Sequence, residues 1–281
     1  MPKTKTKTKT KKQSTALLGN VNATLVRQRS ILGTEIGVVV DERFRQATLP
    51  MQAVSPFDLV PVLDWCQQVG SLRDDILGAS VTFVPTGDDI ATVTMHEAQA
   101  HTKMRWNSAE IVGNLALAAD DIASQARTCG LDVRMAQPAE VAAHIDALRL
   151  NEQAEETSSA KHCVLNGEVS ATFEILLDEV DALAACIDAN DELGLGAYVY
   201  VAARPFETAH KAQCAASITL VGTSVNECEA LVGALFAALG PIHRLRVRRM
   251  VGRPAVMRAA ANGIGVQAWQ HIAIEGRNRA R

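Results

Sequence analysis

The sequence predicts an α/β (α+β) protein made of two pseudo-repeated units of order ββαββαβα. Each unit is expected to be a mainly antiparallel sheet with helices on one face. Three observations carry this expectation. "RFRQATLPMQAVSPFDLVPVLDWC" and the later "GEVSATFEILLDEVDALAACIDAN" both start as an alternating run around an Ala-Thr pair, Ala47-Thr48 and Ala171-Thr172. Both then pass a polar break into an apolar helical stretch. The elements that follow keep the same order, and Pro138 and Pro254 stand at matching places near the end of each series.

In the first unit, Val38 to Val40 and Ala47 to Met51 alternate around a turn near Asp41-Glu42, which predicts a hairpin. "SPFDLVPVLDWCQQV" predicts a helix with Ser55 as N-cap and Pro56 in its first turn, where a missing N–H costs nothing. "GASVTFVPTGDDIATVTMHEA" is a second hairpin around "PTGDD". "SAEIVGNLALAADDIASQARTCG" is a long helix opened by Ser108 and closed by Gly130. "LDVRMA" is a strand, and "QPAEVAAHIDALRL" a helix.

The second unit repeats the series. A hairpin turns at Asn166-Gly167, a helix follows with Asp178 as cap, and "GAYVYVAARPFETAHKAQCAASITLVG" forms the next hairpin. "SVNECEALVGALFAALG" is a helix capped by Ser224 and stopped by Gly240-Pro241. "HRLRVRRM" is a strand and "RPAVMRAAANG" the last helix. The chain thus divides into a disordered basic tail and lead-in (1–33), a first unit (34–150), a polar linker (151–162), and a second unit with a short C-terminal extension (163–281). Two copies are expected to pack as a pseudo-twofold pair. The competing reading is one larger sheet whose halves look alike.

Hydrophobic residues make up 48% of the 281 and charged ones 21%, an ordinary globular balance. Aromatics are only 4%, which leaves few stacking platforms for bases or sugars. The six cysteines form no CxxC pair and read as reduced core thiols. No window approaches the roughly 20 apolar residues of a membrane span, so the expected place is the cytoplasm. The net charge of -3 is uneven, because six of the 28 basic residues are Lys3, Lys5, Lys7, Lys9, Lys11 and Lys12. That tail is a solubilising extension, or an anchor for an anionic surface peripheral to the inner membrane.

Motifs for chemistry are missing. "HEAQAH" sets His96 and His101 five apart, which places them on different helix faces, so it is no zinc-protease signature. "GIGVQA" has too little chain after it to build a dinucleotide-binding unit. The adjacent pairs Asp88-Asp89 and Asp120-Asp121 read as solvated rather than as acid/base partners. No catalytic, cofactor-binding or metal-ligating residue is assigned. The candidate interaction surface is "RLRVRR". As a strand it would turn Arg244, Arg246 and Arg248 to one side, with Arg249, Arg253 and Arg258 following. The alternative for these arginines is internal pairing with acidic helices, around Asp178, Glu179 and Asp181.

"SAEIVGNLALAADDIASQARTCGLDVRMAQPAEVAAHIDAL" and the closing "SVNECEALVGALFAALGPIHRLRVRRMVGRPAVMRAAANGIG" together resemble the soluble domain of EccE, an accessory component of the type VII (ESX) secretion membrane complex. The resemblance covers roughly residues 34 to 265 as a pattern of elements. Members of that family begin with transmembrane helices, whereas "STALLGNVNATLVRQRSILG" is polar and a lysine tail precedes it. The resemblance implies a non-enzymatic scaffold working in a secretion or membrane-associated protein complex, with no catalytic residue to carry over. Two other functions stay open: a small-molecule transferase with its site in the cleft between the halves, and nucleic-acid binding through the lysine tail and arginine strand. The acidic balance of the rest of the chain ranks nucleic acid last.

Overall fold

Alternating runs on both halves of the chain come together in one sheet. The computed structural model describes residues 23–42, 45–70, 72–85, 87, 89–96, 108–149, 157–159, 161–165, 167–176, 181–204, 213–251 and 258. The first half contributes β1 (Ala23–Arg29), β2 (Glu35–Asp41), β3 (Gln46–Ala53), α1 (Leu59–Val69), β4 (Ile76–Phe83), β5 (Ile90–His96), α2 (Ser108–Thr128), β6 (Val133–Met135) and α3 (Pro138–Arg149). The second contributes β7 (Thr157–Ser158), β8 (Cys163–Leu165), β9 (Glu168–Ile175), α4 (Asp181–Leu193), β10 (Tyr198–Arg204), β11 (Gln213–Gly222), α5 (Val225–Ala238), α6 (Pro241–Arg246) and β12 (Val247–Arg249).

Among the described residues the strands run β1-β2-β3-β5-β4-β10-β11-β9-β8-β7, with β6 added to β3 and β12 to β9. The order reads alike from both ends. Every pairing is antiparallel, and the halves meet where β4 pairs with β10, Thr82 opposite Tyr200 and Val81 opposite Val201. Hydrogen bonding therefore continues across the junction, and both halves share one hydrophobic core that contains Val81 and Val201 together.

Leu49, Met51, Val81, Val93, Val201 and Ile218 belong to that core, which includes the apolar stripes of α1, α2, α4 and α5. The stripe of α2 shows why the segment is helical. Ile111, Leu115, Ala119, Ile122 and Ala126 are buried at helical spacing, and Gly130 ends the run at φ +91°. The opposite face of the sheet carries hydroxyls. By the usual one-sided pattern they face water, yet Thr48, Thr82, Thr92, Thr172 and Thr219 are at most 5% exposed. Cross-strand pairs satisfy several of them: Thr48 with Thr94 at 3.0 Å, Ser80 with Thr92 at 2.6 Å, and Thr172 with Thr219 at 3.0 Å. On this same face α3 seats Val141 so closely on β2 that a Cβ at Gly37 would stand 2.8 Å from its Cγ2.

Three sequence expectations change here. Residues 1–33 were expected outside the first unit, but Ala23–Arg29 pairs with β2 along seven residues. Its alternation lets Val26 pack on the main core and Leu25 on the small cluster around Val39 and Val141. Second, α1 begins at Leu59 behind Asp58, without Ser55 as its cap. The amides of Ala53 and Val54 are held by the carbonyls of Asp89 and Asp132, and the Phe57 amide by the Asp89 carboxylate, so this stretch stays extended. Third, "HRLR" is helical in α6, and only Val247–Arg249 is strand. Gly240-Pro241 does end α5, but proline also opens a helix well at its first position. Ser224 caps α5 as expected, accepting from the Glu227 amide at 3.2 Å. The Asp178 cap, the last helix from Pro254, the lysine tail and Arg253 lie outside the described residues.

No helix among the described residues is long and apolar enough to cross a membrane. The six cysteines are free thiols. Burial pushes the Cys186 thiol up to about 12, and it drives Cys66 higher still, so neither is a nucleophile at neutral pH.

Candidate functional site

A concavity opens where the halves meet. It has a volume of about 690 Å³ and takes its walls from both sides of the junction. The first half supplies the stretch leading into α1, from Pro56 to Leu59, and the turn between β4 and β5. The second supplies the last turns of α4 and the Gly194–Val199 segment that leads into β10. Its apolar part includes Phe83 and Val199, which are opposed residues of the β4–β10 ladder. Phe57 and Ile187 add to it.

Two polar side chains hold the walls. Asp89 is buried, and its carboxylate accepts from the Val84 amide at 2.8 Å and the Phe57 amide at 3.2 Å. One carboxylate thus ties the β4–β5 turn to the start of α1. In the other half, Asn190 Oδ1 accepts from the Ala197 amide at 2.9 Å, and its carbonyl accepts from Leu195 at 3.1 Å. Gly194 at φ +57° and Gly196 at φ +63° make the turn that these bonds close. Asp58, Asp188 and Asp191 line the cleft and are exposed.

The chemistry available follows from this lining. None of the described lining residues is His, Cys, Ser, Lys or Arg. The cleft can therefore hold a ligand between carboxylates and apolar surface, but it presents no nucleophile of the usual kinds. Among the described residues no group of three or more His, Cys, Asp or Glu is placed to hold a metal ion.

A second polar cluster lies on the far half. Arg249 pairs with Glu229 through Nη2–Oε1 at 2.5 Å and Nη1–Oε2 at 3.1 Å, and its guanidinium sits 5.5 Å from the centre of the Phe173 ring. His162 Nε2 is 2.6 Å from Glu229 Oε1, and Nδ1 is 3.3 Å from Ser159 Oγ. Ser, His and Glu in a row have the connectivity of a proton relay. Here, however, Ser159 Oγ already accepts from the amides of Lys161 and His162, at 3.2 and 3.0 Å, and Arg249 shares the carboxylate. The cluster is a clamp that ties β7, β8 and β12 to α5.

The bond from Arg249, aided by His162 and opposed by burial, holds the Glu229 carboxyl below its ordinary 4.5. A lowered folded value means the clamp adds stability above the ordinary carboxylate range and loses it as pH falls through the lowered value. Glu229→Gln is expected to flatten this acid limb in melts followed from pH 6 down to about pH 3. Arg249→Gln is expected to cost about 2 kcal/mol at neutral pH. An unchanged melting temperature would show that the clamp contributes nothing.

The arginines singled out from the sequence do not form one face. Arg244 lies on α6 and donates Nε to the Leu239 carbonyl at 2.7 Å and Nη2 to Ala237 at 3.1 Å, closing the C-terminus of α5. Arg246 ends α6, whereas Arg248 is exposed on β12 opposite Glu174. Arg249 is engaged in the clamp, and Arg258 pairs with Glu168 at 2.5 Å. Among the described residues, the carboxylates that pair with Arg249 and Arg258 are Glu229 of α5 and Glu168 of β9; Asp178 and Glu179 lie outside the described residues. Of the aspartate pairs, Asp89 proves structural and Asp120 accepts from the Leu32 amide at 3.2 Å. The cleft aspartates were missed. They are scattered from 58 to 191, and the only hint was the reading that placed a site in a cleft between the halves.

No family model matches the chain, and no curated protein matches it. Among solved structures it is similar to CrmK, a flavoenzyme of shunt product recycling in caerulomycin biosynthesis (TM-score 0.38, 11% identity, 91% of this chain, 64% of that chain). It is also similar to GilR, an oxidoreductase of the terminal step of gilvocarcin biosynthesis (TM-score 0.39, 11% identity, 91% and 65%). A third is 6-hydroxy-D-nicotine oxidase from Arthrobacter nicotinovorans (TM-score 0.28, 12% identity, 91% and 64%). The chain spans under two thirds of the length of these proteins, and at such scores the likeness transfers no cofactor or reaction. The resemblance to EccE is corrected: no family model matches the chain, and none of the three structures named above is a secretion component. The non-enzymatic scaffold role in type VII secretion and protein transport falls with it. That resemblance rested on an order of helices and strands that unrelated α+β chains share, and its arginine-rich strand is half helix.

Proposed function

We propose that this protein binds a small organic molecule in the cleft between its halves. One observation carries the reading: a concavity of about 690 Å³, the size of ordinary ligand pockets, is built jointly by both halves at the β4–β10 junction. Asp89 and Asn190 support it, since they hold the two walls in place before any ligand arrives. Mixed lining supports it too, with apolar Phe57, Phe83 and Val199 beside carboxylates.

The test is a fragment screen on the full chain followed by amide chemical shifts, with Ala184→Trp as the control. Ala184 lines the cleft from α4, and an indole there fills part of it. Bound fragments are expected to shift amides near Phe57, Phe83 and Val199 in the parent and not in Ala184→Trp. Fragments that bind only elsewhere, or equally well to the filled variant, would overturn the reading.

A further inference from the structure

From the charge around the cleft we infer that its ligand is an organic cation, an ammonium attached to an apolar body. The inference rests on the cleft being a ligand site and adds the chemical class. Three exposed carboxylates line it, Asp58, Asp188 and Asp191, beside the buried Asp89 that holds the wall amides, while no Lys, Arg or His stands among the described lining residues. Among the described residues none of the three forms an ion pair.

Asp191 Oδ1 accepts from Asn190 Nδ2 at 3.3 Å, and two features leave the charges themselves without a counterpart among the described residues. Asp58 occupies the N-cap position of α1, where an aspartate ordinarily accepts from the first-turn amides, yet its side chain makes no capping bond. Its carboxylate is left to the cleft. Asp188 and Asp191 sit in the last turns of α4, whose final turn has no basic residue. Carboxylates at a helix C-terminus oppose the helix dipole and are ordinarily replaced there by cations. A cation in the cleft would relieve both.

Magnitudes decide between the opposing helix ends. The N-terminus of α1 brings about half a positive charge to the cleft and the C-terminus of α4 about half a negative one. These cancel, and the three carboxylates remain. The apolar half of the ligand follows from Phe57 and Phe83, since aromatic side chains accept both hydrocarbon and ammonium groups. A bare divalent ion fits less well, because no three acidic groups among the described residues converge to metal-binding distance.

Three probes of similar shape test the charge preference on the full chain: phenethylammonium, 2-phenylethanol and 3-phenylpropanoate, titrated by calorimetry and amide shifts. The ammonium is expected to bind at the cleft at least about tenfold more tightly than the alcohol, and the carboxylate not measurably. Added salt should weaken the ammonium and leave the alcohol unchanged. Asp58→Asn, Asp188→Asn and Asp191→Asn together should erase the preference while the chain stays folded, because all three side chains are exposed. Equal or tighter binding of the alcohol or carboxylate at the cleft would overturn the cation and leave the cleft standing. Magnesium displacing the ammonium at equal concentration would also overturn an organic cation. If no probe shifts an amide near Phe57, Phe83 or Val199, the cation is overturned, and the fragment screen decides the cleft.

Discussion

Trp65→Ala is expected to lower the unfolding free energy by about 3–5 kcal/mol, the largest effect of any single substitution considered. Trp65 is fully buried in α1, and α1 packs across both β4 and β10. Its ring therefore supports the junction on which the cleft depends. The cavity left by an alanine would loosen both halves at once, and the melting temperature should fall by roughly 10 °C. A companion variant separates packing from polarity. The indole Nε1 is buried without a hydrogen-bond partner, a state that ordinarily costs about 1–3 kcal/mol. Trp65→Phe gives up some volume but also removes that donor, so its net cost should stay within about 1 kcal/mol. If Phe costs as much as Ala, the indole N–H has a partner in solution and the account of this side chain is wrong.

Asp89→Ala is expected to cost about 2–4 kcal/mol and to abolish ligand binding. Its carboxylate is the acceptor for two amides, Phe57 and Val84, and each buried amide left unpaired costs about 1–3 kcal/mol. Asp89→Asn keeps one of the two acceptor oxygens and should lie between. Hydrogen exchange supplies a readout that global destabilisation does not mimic. The Phe57 and Val84 amides should lose protection in Asp89→Ala well before the strand amides of β9 do. Uniform loss of protection across the sheet would assign Asp89 to general stability and not to the cleft wall.

Legibility differed between elements for physical reasons. The hairpins, α2 and the cap at Ser224 were readable because their signals are local: alternation, helical spacing, an Asn-Gly turn, a serine three residues before its glutamate. The strand β1 was not, since "ATLVRQR" is polar on average and its two large apolar residues, Leu25 and Val26, pack on opposite faces. The arginine run misled because Arg-Leu-Arg-Val-Arg alternates like a strand. The same residues fit a single helical turn opened by Pro241, and Arg244 then reaches back to the carbonyls of α5. Adjacent aspartates were read as solvated. One of them, Asp89, is buried because two amides distant in sequence from each other converge on it.

By itself the sequence determined most of the order of elements, β1, β7 and α6 excepted, and the likeness of the two halves in that order. These follow from side-chain periodicity and from caps and turns, which act over a few residues. Only the tertiary structure decided that the halves join edge to edge through β4 and β10, and that the hydroxyl face is buried. It alone brought Asp58, Asp188 and Asp191 around one cleft. Strand pairing between β4 and β10 is a contact across more than a hundred residues of chain, and no local preference encodes it. The cleft exists because α1 covers that junction beside the last turns of α4, a consequence of packing that no stretch of sequence states on its own.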